Sequence, residues 1–136
     1  MEIDRLKHQH MQILDGISEL RKLAHAGIKE HAQEIAKHIT ALSSVVKLHL
    51  AIEDRILYPA LQSGNNTTLA SMSKTYQDDM KGIASAYIAF SRHWGKADVV
   101  AQQPEQFRTE ANLVLKTLFT RVRKENAEFY PAIEAL

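Results

Sequence analysis

"HLAIEDRILYPAL", residues 49–61, is followed 72 positions later by "RVRKENAEFYPAI", residues 121–133. Glu53 falls on Glu125, Leu57 on Phe129, Tyr58-Pro59-Ala60 on Tyr130-Pro131-Ala132, and Leu61 on Ile133. His49 falls on Arg121. The copy keeps its carboxylate and exchanges an imidazole that can bind metal for a permanent cation. Upstream, a shift of 70 sets Leu6 on Tyr76, His10 on Met80, Ile13 on Ile83, Ile17 on Tyr87 and Leu20 on Phe90. The chain therefore reads as one domain, 1–136, in which a helix pair at 1–61 is repeated at 69–134.

Helix is the element that both copies predict. Ile3, Leu6, His10, Ile13, Ile17, Leu20 and Ala24 recur at alternating steps of three and four. That spacing puts them on one stripe of an amphipathic helix. Three further stripes follow. The second runs Ile35, Ile39, Leu42, Val46, His49, Glu53, Ile56 and Ala60; the third runs Leu69, Met72, Tyr76, Met80, Ile83, Tyr87, Phe90 and Trp94. The fourth runs Phe107, Ala111, Val114, Leu118, Val122, Glu125, Phe129 and Ala132. Breaks fall at Gly27, at "SGNNTT" 63–68 and between Gly95 and Pro104. No segment shows sustained period-two alternation, which argues against a sheet. Pro59 and Pro131 are predicted to stop or kink their helices, and Pro104 suits a first helical turn. Short connections favour antiparallel neighbours. The expected fold is all-α, an antiparallel up-down four-helix bundle.

Composition narrows the function. There is no cysteine, so disulfides and thiolate metal sites are excluded and any metal must sit on His, carboxylate, Tyr or backbone oxygen. Lys and Arg total 17 against 16 Asp and Glu, a balance without the basic footprint of a nucleic-acid or anionic-membrane binder. The charged start "MEIDRLKHQH" lacks the apolar run of a secretion signal, and no uninterrupted apolar stretch of membrane-spanning length is present. A cytoplasmic protein is expected; the oligomeric state stays open.

Three polar residues interrupt the apolar stripes of the first half: His10, His49 and Glu53. His49 and Glu53 stand four apart, on the same side of a helix. A lone buried carboxylate costs several kcal/mol unless a cation or donors compensate it. Two histidines and a carboxylate are also the ligand set of open-sided non-haem iron centres and of some zinc sites.

"HMQILDGI" followed by "HLAIEDRILYPAL" resembles the hemerythrin-like, HHE cation-binding proteins along nearly the whole chain. That resemblance implies a four-helix bundle around a carboxylate-bridged iron pair. It also implies service in binding dioxygen, or in sensing iron, oxygen or a related diatomic. It makes His10 and His49 ligands, Glu53 a bridging carboxylate and Glu125 the second bridging position. Two departures stand out: Met80 occupies the usual third-helix histidine position, beside Asp79, and Arg121 occupies the fourth-helix one.

Two readings follow. In one, a metal, expected to be iron, sits on His10, His49, Glu53 and Glu125, with Asp79 or Tyr76 as substitute oxygen donors. In the other, no metal binds; Arg121 neutralises Glu125 and Glu53, and the chain is a structural or regulatory module. A mononuclear-iron oxidoreductase ranks last, for want of a substrate pocket or a nucleophile–base signature. A binding protein is expected rather than an enzyme. His8, His25, His31, His38 and His93 are expected on the surface or at packing edges, and Tyr58 and Tyr130 are expected to cap or pack the bundle end.

Overall fold

The computed structural model describes residues 3–136, so the first two positions of the expected domain lie outside the described residues. Among those residues the fold is all-helical, without strands. Its elements are α1 (Ile3–Gly27), α2 (Ala32–Ile52), a π-helical turn (Glu53–Leu57), α3 (Tyr58–Gln62), α4 (Thr67–Trp94), α5 (Ala97–Gln102), α6 (Pro104–Lys124), a second π-helical turn (Glu125–Phe129) and α7 (Tyr130–Glu134).

Local chemistry accounts for the boundaries. Gly27, at φ 138°, ends α1 in a conformation that side-chain-bearing residues rarely adopt. Asn66 caps α4 by accepting from the Leu69 backbone N–H at 2.9 Å, and Pro104 opens α6. The helix α5 was not expected from the sequence. It occupies the break between Gly95 and Pro104, where Val100 is fully buried and anchors it.

The prolines neither stop nor break their helices. Each follows a π turn in which the Tyr58 and Tyr130 N–H groups reach back five residues, to the carbonyls of Glu53 and Glu125. Proline has no N–H to donate, and its ring clashes with the carbonyl four residues back in an α-helix. A widened turn removes that conflict and inserts one extra residue into the helix. The apolar stripe consequently changes phase. Ile56 and Ala60, expected inside, are exposed, whereas Leu57, Tyr58 and Leu61 are buried. In the second copy Phe129, Tyr130 and Ile133 are buried and Ala132 only half-buried.

Two apolar layers make the core. One is built on Ile13, Ile17, Leu42, Val46, Phe90, Phe107 and Leu118, the other on Leu6, Ile52, Leu57, Tyr76, Phe129 and Ile133. Each fully buried aliphatic or aromatic side chain stabilises by about 1.5–3 kcal/mol. In three of the four long helical runs a polar interruption falls where one layer gives way to the other: His10 between Leu6 and Ile13, His49 and Glu53 between Val46 and Leu57, Arg121 and Glu125 between Leu118 and Phe129. In α4 the buried Met80 holds that place. The helical run Ala32–Gln62 is long and apolar enough to cross a membrane by length and composition, with mean hydropathy 1.2. Here its apolar face packs into both layers, as expected of a core helix.

Candidate metal centre

Between the two layers lies a closed polar cluster. His10, His49, Glu53, Arg121 and Glu125 are each at most 5% exposed. The Nε2 atom of His10 lies 2.8 Å from Glu125 Oε1 and 3.1 Å from His49 Nε2. His49 Nε2 is 3.4 Å from Glu53 Oε2 and 3.6 Å from Glu125 Oε1. Ligand-capable atoms of His10, His49 and Glu125 all fall within 4.8 Å of one another.

The outer nitrogens of both imidazoles are already committed. His10 Nδ1 donates to Asn126 Oδ1 at 2.7 Å, and His49 Nδ1 donates to Gln9 Oε1 at 3.0 Å. Such bonds fix the tautomer and turn both Nε2 lone pairs toward the same point, as the partners of metal-binding histidines do. Two Nε2 atoms and the carboxylate oxygens of Glu53 and Glu125 are then all acceptors. They hold together only around a proton or a cation. Glu53 Oε1 is buried without any hydrogen-bond partner, an acceptor awaiting positive charge. The residues present therefore fit a metal ion, which His10, His49 and Glu125 could hold.

Titration behaviour follows the same logic. Burial works to lower the His49 pKa, but hydrogen bonds and charge from Glu125 and Glu53 outweigh it and raise the value to about 9. In the metal-free protein a proton on His49 thus takes the cation's part. Burial, reinforced by the Glu125 charge, pushes Glu53 up. Glu125 faces the same burial, yet its hydrogen bonds to His10 and His49, together with the Arg121 charge, hold it well below the usual carboxylate range.

Arg121 fills the other side of Glu125. Its Nε donates to Glu125 Oε2 at 2.9 Å, and its Nη2 donates to the Tyr58 hydroxyl at 3.2 Å and to the Tyr76 carbonyl at 2.9 Å. The guanidinium also lies over the Tyr76 ring, 4.6 Å from its centroid. Glu125 is therefore shared, one oxygen facing the imidazoles and the other facing the guanidinium.

Two residues expected as substitute oxygen donors stand elsewhere. Asp79 is exposed: it is one position from the buried Met80, and one helical step turns it out of the stripe. Tyr76 is buried but directed away from the imidazoles, its hydroxyl donating to Glu128 Oε2 at 3.2 Å while its ring stacks on Phe129 at 4.3 Å. The tyrosines expected to cap or pack the bundle end pack their rings in the second apolar layer, and their hydroxyls also reach the cluster. Tyr130 O–H lies 3.2–3.5 Å from Glu53 Oε2, Glu125 Oε1, His10 Nε2 and His49 Nε2. The repeated Tyr-Pro pair was the available signal, but a regular 3.6-residue period misplaces these rings; the π turn brings them inward. Gln9 and Asn126 were also missed, since an amide beside a ligand has no sequence signature of its own. His8, His25 and His93 are exposed, and His31 and His38 partly so.

Nothing among curated proteins or solved structures matches this chain significantly. A family model does: that of the hemerythrin HHE cation binding domain matches residues 1–133. The buried imidazoles and carboxylates thus stand in the setting to which that family's description assigns cation binding, and the chain belongs to the hemerythrin HHE cation-binding family.

Proposed function

We propose that this protein holds a single non-haem metal ion, iron, on His10, His49, Glu125 and Glu53, and uses it to buffer the metal or to sense it, dioxygen or a related small diatomic. The observation that carries this reading is the excess of buried acceptors over donors, most plainly the unpartnered Glu53 Oε1. A bound iron cation would supply the positive charge that these buried acceptors lack, together with open coordination positions for a small ligand. The protein's own contribution is to orient the imidazoles through Gln9 and Asn126, to exclude water with two apolar layers, and to hold a second positive charge permanently on Arg121.

The reading extends to the architecture. Gly16 meets Leu42, Phe90 meets Phe107, and the two π turns stand at the shift of the sequence repeat. These pairings support an antiparallel up-down bundle of four long helices, with the helix pair 1–61 repeated at 69–134 as one domain.

A second reading is favoured by the three hydrogen bonds of Arg121: the guanidinium replaces the metal charge and the fold is a metal-free structural or regulatory interaction module. Elemental analysis of untagged protein incubated with ferrous iron separates the two. About one iron per chain, lost in His49→Ala, is expected from the first. No iron under any loading condition, with His49→Ala still folded, establishes the second. Two irons per chain would refute both the single site and the counter-ion role.

A further inference from the structure

The two Tyr-Pro pairs have equal positions in the repeat and unequal surroundings. Tyr58 O–H accepts from Arg121 Nη2 at 3.2 Å. Tyr130 O–H stands 3.2 Å from Glu53 Oε2, 3.3 Å from Glu125 Oε1, 3.3 Å from His10 Nε2 and 3.5 Å from His49 Nε2. A hydroxyl carries one proton and can donate to one acceptor at a time, whereas two carboxylate oxygens and two imidazole nitrogens converge on this one. Its oxygen therefore lies beside one atom of each of the four residues proposed to hold the ion. The ring is fixed there: it is fully buried and stacks on the His10 imidazole, centroids 5.0 Å apart and planes inclined by 17°.

We infer that Tyr130 is itself a ligand of the metal, its phenolic oxygen completing the set of two imidazoles and two carboxylates, whereas Tyr58 holds the guanidinium. The inference rests on the single-ion reading above and goes beyond it. On binding a ferric ion, the Tyr130 O–H bond breaks, the proton leaves to solvent and an iron–oxygen bond forms; no electron is transferred. A hard phenolate oxygen favours the ferric over the ferrous state. Tyrosine is thereby the residue through which this chain selects the oxidation state it holds.

The test loads the full chain, its Tyr130→Phe variant and its Tyr58→Phe variant with ferric nitrilotriacetate. Iron per chain, visible absorption and resonance Raman spectra are then measured, with circular dichroism to confirm helix content. Wild type and Tyr58→Phe are expected to show a phenolate-to-iron charge-transfer band with tyrosinate ring modes. Tyr130→Phe is expected to retain iron and lose the band. An iron-loaded wild type without the band overturns the inference and leaves the single-ion reading standing, and this outcome does not depend on any variant folding. A band that persists in Tyr130→Phe also overturns it. Iron absent from all three proteins defeats the single-ion reading itself, and this inference with it.

Discussion

The π turn at 53–57 and the π turn at 125–129 share backbone, proline and carboxylate, yet they meet different charges. Around Glu53 there are the His49 imidazole, a tyrosine hydroxyl and an oxygen with no partner. Around Glu125 the same imidazole corner is present on one side, and a guanidinium closes the other. The first copy leaves its positive charge to be supplied; the second has it built into the chain. The pKa directions express this contrast, Glu53 raised and Glu125 lowered within one cluster. A carboxylate's environment, more than its burial, decides whether it needs a metal.

The most forceful way to break the comparison is Arg121→Leu. It removes one member of a buried pair and should destabilise the metal-free protein by about 3–5 kcal/mol in urea unfolding. A change within error would mean that the second copy needs no cation. Tyr58→Phe is the milder form of that test. It deletes a hydrogen bond to a charged group and should cost about 1.5–3 kcal/mol by the same measurement.

The first copy is probed by pH. His49 has a folded pKa of about 9, above its ordinary 6.5, so its contribution to the metal-free protein is complete below about pH 6.5. It is lost as pH rises through 9, and stability should fall by about 1–3 kcal/mol across that window. A flat profile would show that no proton substitutes for the cation. Metal must displace this proton, so iron affinity should rise over the same range. The smallest effects concern helix-interior glycines on either side of the repeat. A Cβ at Gly82 would meet nothing within 4 Å, so Gly82→Ala should stabilise by about 0.5–1 kcal/mol. At Gly16 the same atom comes 3.0 Å from Leu42 Cδ1, and Gly16→Ala should gain less or lose stability in thermal unfolding.

By itself the sequence determined the helices, because a 3.6-residue stripe is a local property of the chain. It also marked His10, His49, Glu53 and Glu125, because polar residues on such a stripe stand out against their neighbours. Only the tertiary structure decided the phase beyond Glu53 and Glu125 and the inward turn of Tyr58 and Tyr130. A π turn changes which residues face the core without changing which residues are apolar, so periodicity carries no trace of it. The orientation of Arg121 was likewise settled in three dimensions. A guanidinium follows its acceptors, and two of its three, the hydroxyl of Tyr58 and the carbonyl of Tyr76, come from helices far away in the chain.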